Sequence, residues 1–219
     1  YGREIFSITA AYDFGGRWFD YNDQITGNLR KYDVVPASGI AAGAEVYPLA
    51  TTDVTVLKDL GIVGRFGTAL GLGSTRDDNG DEVTTSWLHF DVGLRFRLRT
   101  GSEKAPVLGL HGGFGMNNFK FDAEGALAGE VPSVSYAYLK VGLDGRIPIG
   151  PVALGLFFDY LGAVSAGDVY DRFTDPSIGG IAFGGSFIVP IASGFEARLG
   201  AEYQRWFYAF VPVVGDTYE

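Results

Sequence analysis

The stretch Ser86–Arg99, SWLHFDVGLRFRLR, constrains this chain more than any other. Leu88, Phe90, Val92, Leu94, Phe96 and Leu98 are all large and apolar, and the residues between them, His89, Asp91, Gly93, Arg95, Arg97 and Arg99, are polar, charged or glycine. A period of two defines a strand with two unlike faces. A strand of ordinary length ends after about five or six residues. This one keeps its alternation for about a dozen, the length a tilted strand needs to cross a bilayer core.

The same pattern recurs along the chain. Ile5–Phe14, Ile40–Val46, Leu60–Leu72, Leu108–Met116, Ala137–Ile147, Val152–Tyr160, Ile181–Val189 and Phe195–Tyr203 each alternate an apolar face with a polar or small one. With the opening stretch as the fourth, nine strands and regular turn signals predict an all-β domain over residues 1–219. Three strands run into similar endings, Tyr47-Pro48-Leu49, Ile147-Pro148-Ile149 and Val189-Pro190-Ile191. Proline has no N–H to donate, so each is expected to stop its ladder. These are the ends of the second, sixth and eighth strands, which puts them on one rim. Longer polar stretches, Asn22–Asp33, Ser74–Glu82, Asn118–Ser133 and Ala163–Ser177, fall on the other. Short turns on one rim and long loops on the other are the asymmetry of an outer-membrane barrel.

Composition removes several classes. The net charge of −9 disfavours nucleic acid, whose phosphates need a basic surface. No run of about 18 apolar residues is present, so no helix of this sequence crosses a membrane. Without cysteine there is neither a disulfide scaffold nor a thiolate metal site. The opening YGREIFSITA lacks a basic region followed by an apolar run, so export implies that a signal peptide has already been removed.

Matching the apolar faces predicts registers. Leu70 beside Leu88 and Phe66 beside Val92 imply a three-residue loop centred on Asn79, with Gly80 left-handed. A turn at Pro148-Ile149-Gly150-Pro151 pairs Ile147 with Val152 and sets Lys140 opposite Asp159. The same matching sets His111 opposite both Asp144 and Arg95, and His89 opposite Asn117. The polar face collects the acids Asp13, Glu45, Asp91, Asp144, Asp159, Glu196 and Glu202 and the bases Arg65, Arg95, Arg97, Lys140, Arg146 and Arg198. Unpaired charges in a low-dielectric interior are costly, so near-balance of sign predicts a connected network. We expect its members to be Glu45, Arg65, Asp91, Arg95, His111, Lys140, Asp144, Arg146, Asp159, Arg198 and Glu202.

Neither histidine supports catalysis. They lie six residues apart along the fifth strand, roughly 20 Å at about 3.3 Å per residue, too far to share a proton. His111 reads as part of the charge network and His89 as a rim residue, so no catalytic residue is assigned and no enzyme is expected. The loop Asp77–Glu82 does not fit the EF-hand spacing and reads as a solvated hairpin tip, so no metal or cofactor is expected. Trp18, Phe19, Trp87, Trp206 and Tyr208 stand near strand ends on the loop side, where an interfacial aromatic belt is expected in a membrane.

Alternating strands, the Y/I/V-Pro-L/I endings, aromatic strand termini and loop asymmetry together resemble the small outer-membrane β-barrel proteins of Gram-negative bacteria, the outer-membrane-protein-A-like group in the broad sense. The resemblance covers nearly the whole chain and implies an antiparallel up-and-down transmembrane barrel of about ten strands, located in the outer membrane. Nine visible strands cannot close antiparallel, so a tenth is expected after Glu219, or else within Arg17–Asp33 or by a miscount of eight. The expected role is structural, or attachment and interaction through the long extracellular loops. The expected partners are the lipid bilayer with its lipopolysaccharide and a protein at those loops; nucleic acid is not expected. A narrow passive porin-like channel is the second reading, and a soluble lipocalin-like barrel binding an apolar ligand the third.

Overall fold

The computed structural model describes residues 4–19, 32–54, 56–75, 82–99, 101–102, 105–121, 133–167 and 177–209. In chain order the strands are β1 (Phe6–Phe19), β2 (Tyr32–Val46), β3 (Leu60–Leu70), β4 (Gly73–Thr75), β5 (Glu82–Arg99), β6 (Val107–Phe121), β7 (Val134–Ile149), β8 (Val152–Ser165), β9 (Ser177–Ala192) and β10 (Phe195–Ala209). β4 is a short piece that pairs only with β5. The other nine form one antiparallel up-and-down sheet in the order β1-β2-β3-β5-β6-β7-β8-β9-β10. A single 3-10 turn at Leu57–Asp59 is the only helical element among the described residues. β1 and β10 are the two sheet edges, and with nine strands in alternation they run in the same direction.

Contacts between strands that are not neighbours show which way the sheet curls. Asn117 of β6 donates to Gln204 of β10 at 3.2 Å. Arg146 of β7 donates to Glu196 of β10 at 3.0 Å, and the rings of Tyr136 and Trp206 stack with centroids 4.1 Å apart. Arg17 of β1 lies over the ring of Phe119 of β6 at 4.3 Å. Every one of these residues shares the parity of the polar residues of its strand, so the polar face is concave and the apolar face convex. Exposure agrees with that geometry. Leu94, Leu98, Leu139, Leu143, Phe158 and Leu199 are exposed, whereas Asp91, Arg97, Lys140 and Asp159 are buried.

The predicted parity of the strands holds, and several predicted details do not. β3 pairs with β5 through Phe66–Phe90 and Gly64–Val92, two residues from the expected register. Thr75 pairs with Glu82, which excludes a three-residue loop centred on Asn79; Asp77–Asp81, including Asn79 and Gly80, lie outside the described residues. Gly71, with φ +59°, supplies a backbone irregularity between the β3 and β4 pairings. β7 and β8 pair through Ile149–Val152 and Ile147–Leu154, again slipped by two, so Asp159 faces Gly142 and Lys140 faces Leu161. β7 and β9 also continue through Pro148 and Pro190 to Ile149 and Ala192. Pro148 lies past the last β6 pair, Val107–Arg146, and Pro190 past the last β8 pair, Ala153–Ile188. With a neighbour on one side only, the side without a partner strand needs no N–H from the proline, and the ladder tolerates them. Pro48 does follow the end of β2 as expected. Of the stretch Arg17–Asp33, one place expected for a tenth strand, Arg17–Phe19 and Tyr32–Asp33 belong to the β1–β2 ladder, and residues 20–31 lie outside the described residues.

Turn chemistry at the short-turn rim is simple. Gly150, with φ +61°, and Pro151 join the last pair of β7 and β8, and Gly194, with φ +81°, sits in the turn between β9 and β10. A positive φ is strained for any side chain other than hydrogen and lets the strands reverse within two residues.

Candidate functional site

The concave face is built on a repeated local device. A large or charged side chain on one strand reaches across a glycine of the next strand to a partner on the strand beyond. His111, Gly142 and Asp159 form one cross-strand row. His111 Nε2 lies 2.6 Å from Asp159 Oδ1 above Gly142, and its Nδ1 lies 3.1 Å from Asp144 Oδ2. An imidazolium donates from both ring nitrogens, which is the form that suits two carboxylates. Arg95 of β5 and Asp144 of β7 meet above Gly109 of β6, with Arg95 Nε donating to Asp144 Oδ2 at 2.9 Å and Nη2 bonded to Oδ1. Arg95 Nη1 also reaches Glu45 at 3.3 Å and the Tyr47 hydroxyl at 2.6 Å.

A second group is centred on Asp91. Lys140 Nζ bonds its Oδ1 and Arg65 Nε donates to its Oδ2 at 3.2 Å. Arg65 Nη1 lies 3.8 Å from Glu202 Oε2 on β10. A third joins Arg146 of β7 to Glu196 of β10, with Arg198 Nη2 at 3.4 Å from the same carboxylate. All eleven expected charge-network residues are therefore on the concave face, in three groups. His111 meets Asp144 diagonally instead of directly, because Asp144 is paired with Gly109. Arg95 is opposite His111, and His89 opposite Asn117, as expected.

The short-turn end holds a cluster that alternation alone did not indicate. Tyr47 is 2 % exposed and donates to Glu45 at 3.1 Å. Arg97 lies over its ring at 3.3 Å and donates to the Glu4 carbonyl at 2.9 Å. Asp59, in the 3-10 turn, accepts from Arg99 Nη2 at 2.8 Å and has Arg97 Nε at 3.7 Å. Burial pushes the Tyr47 hydroxyl up to about 12. The signal in the sequence was Gly61, which leaves no room for a side chain under the Tyr47 ring.

At the loop end the concave face is aromatic. Tyr136 stacks on Trp206, Tyr138 meets Trp206 edge-on at 5.4 Å, and the Tyr136 and Tyr208 hydroxyls are hydrogen-bonded. Trp87 donates to Asn117 at 2.9 Å and packs on Phe119. The expected aromatic belt is thus corrected: Trp87, Trp206 and Tyr208 turn inward, because they share the parity of His89, Glu202 and Gln204. Trp18 is on the convex side and exposed, and the side chain of Phe19 lies outside the described residues. His89 stands over Gly67 with its ring 6.4 Å from Trp87.

The described residues contain no group of three or more His, Cys, Asp or Glu placed to hold a metal ion. Comparison with protein-family models, with curated proteins and with solved structures returned no match. The site's chemistry is therefore read from its geometry: fixed ion pairs and stacked rings that fill a concave surface.

Proposed function

We propose that this chain is an integral outer-membrane β-barrel with a charged, side-chain-filled lumen and a structural, attachment or interaction role carried by its long loops. The observation that carries the reading is the inversion of the usual burial rule. Large apolar side chains cover the convex face while charged ones are buried on the concave face. Water penalises that arrangement and a bilayer favours it. β1 and β10 run in the same direction, so one strand antiparallel to both completes a ten-stranded cylinder, the even count expected of such barrels. The strand ends at Phe19, Thr75, Phe121 and Ser165 mark the outer rim in this reading, and the long connections that follow them in the sequence are to supply the surface for a protein partner.

The second reading, a narrow passive channel, is favoured by one feature. Between Glu45 at one end and Asp13 at the other, the inward residues of β1 and β2 are small: Thr9 and Ala11 beside Ala41 and Gly43. A lipocalin-like calyx needs an apolar concave face, and here that face holds Asp91, Arg95, Lys140 and Asp159. Electrophoresis of unheated and heated detergent samples tests the barrel: we expect a heat-dependent shift in mobility, and its absence with full solubility in water sinks the assignment. Planar-bilayer recording separates the two membrane readings, since the filled lumen predicts no discrete conductance steps.

A further inference from the structure

Taking the barrel reading as its basis, we infer that the gap between β1 and β10 binds one extended polypeptide segment, antiparallel to both edges, with apolar side chains outward and a lysine or arginine inward between Asp13 and Glu202. β1 and β10 are the two edges of the sheet, 14 and 15 residues long. Each edge presents to the gap a row of backbone N–H and C=O groups outside the ladder. A bilayer offers no water to satisfy them, so another strand must. Both edges run toward the loop rim, which sets the direction of that strand opposite to theirs.

Exposure defines the outward side of the bound segment. Ile8 of β1 and Leu199 of β10 are 79 % and 81 % exposed, whereas Val92, outward on an inner strand, is 47 % exposed. An outward side chain on an inner strand has a neighbour on each side, and these two edge residues lack one. Apolar residues at alternate positions of the bound strand restore that cover.

Charge decides the inward side. Asp13 and Glu202 share the inward parity, and both are exposed. Each stands seven residues after the first residue of its strand, and both strands start at the short-turn rim. Both carboxylates act on the charge of one ring, that of His89 on β5. Glu202 has Arg65 at 3.8 Å, but Arg65 is shared with Asp91, which Lys140 also binds. Asp13 has no cation within ion-pair distance among the described residues. Three carboxylates, Asp13, Asp91 and Glu202, therefore share two cations. A strand laid in the gap shuts Asp13 and Glu202 from water, and a covered carboxylate without a partner is costly. A basic residue on the inward face of that strand offsets the cost. Phe210–Glu219 contains no lysine or arginine and does not meet this requirement. A second copy does not fit either. Both of its edges run the same way, so pairing one of them antiparallel here inverts that copy in the membrane.

The test mixes the full chain, folded in detergent micelles, with synthetic peptides of about 11 residues, the length of a membrane strand. Each peptide alternates Leu or Val with Thr, Ser and Gly, and the two differ only at the central inward position, Lys in one and Glu in the other. Hydrogen exchange read by mass spectrometry locates binding, and fluorescence anisotropy of the labelled peptide measures it. The Lys peptide is expected to protect amides of β1 and β10 and to bind about tenfold more tightly than the Glu peptide. Asp13→Lys, at an exposed residue with no ion pair to lose, should reverse that preference. Protection absent from β1 and β10, equal binding of the two peptides, or a preference unchanged in Asp13→Lys overturns the proposed partner and leaves the barrel intact. A chain that dissolves in water without detergent and shows no heat-dependent mobility overturns the barrel reading, and the partner with it.

Discussion

His111 and Asp159 meet across an intervening strand because the residue between them in the cross-strand row is Gly142. A methyl group on that glycine would sit 2.7 Å from His111 Nε2 and closer still to Asp159 Oδ1. Asp159 is 2 % exposed, so its charge depends on the partners that reach it there. The same logic places Gly109 beneath the Arg95–Asp144 pair. These glycines are the space through which the charges of alternate strands are joined.

Gly142→Ala therefore breaks the contact without touching either charge. Separating a buried carboxylate from its partner destabilises by about 3–5 kcal/mol. Denaturant unfolding of the detergent-solubilised protein should show a loss of that order, and adding Asp159→Asn should recover much of it. A loss unchanged by Asp159→Asn would mean that crowding, and not charge separation, is the cause.

Val92 is 47 % exposed on the convex face, at the middle of β5. If this face meets lipid, Val92→Arg costs about 2–4 kcal/mol at mid-bilayer depth. Assembly into vesicles should fall sharply, whereas Val92→Leu should assemble normally. Wild-type assembly of the arginine variant would contradict the outward assignment of the whole stripe.

Two glycines on the same face should behave differently. A Cβ at Gly61 would lie 2.5 Å from the Tyr47 ring, while one at Gly43 would have its nearest neighbour, a backbone oxygen, at 3.5 Å. Gly61→Ala must displace a fully buried tyrosine and is expected to destabilise by about 1–3 kcal/mol. Gly43→Ala gains strand preference at ordinary contact distance and should be neutral or mildly stabilising. Unfolding midpoints of the two variants make the comparison.

Tyr47 also gives the protein a pH dependence at the short-turn rim. Burial raises its hydroxyl from 10.0 to about 12, so the folded state keeps a proton that the unfolded chain loses first. Its contribution is complete below pH 10, declines as pH rises between 10 and 12, and is gone above that window. Absorbance titration should show a late-ionising tyrosine fraction that is smaller in Tyr47→Phe, whose stability should fall less steeply over the same interval.

Much of this was legible in the chain. Alternation assigned Leu88, Val92 and Leu98 to one face and Asp91, Arg95 and Arg97 to the other, since successive side chains in any strand point to opposite sides. The strand count and the placement of the connections on two rims followed from the same pattern. The expected pairings of Phe66 with Val92, Lys140 with Asp159 and His111 with Asp144 were each displaced by two residues. A slip of two restores every side chain to its own face, so apolar matching cannot detect it.

What the sequence determined by itself is the composition of the two faces, because the two-residue period is a property of the backbone. Only the tertiary structure decided which face is concave, since curvature arises from how nine strands twist and pair together. It also decided the partners on that face. Curling brought β10 against β6 and β7, turned Trp206 inward onto Tyr136, and let His111 reach Asp159 over Gly142. Those contacts join residues far apart in the chain, and they depend on register and curvature, which no local pattern contains.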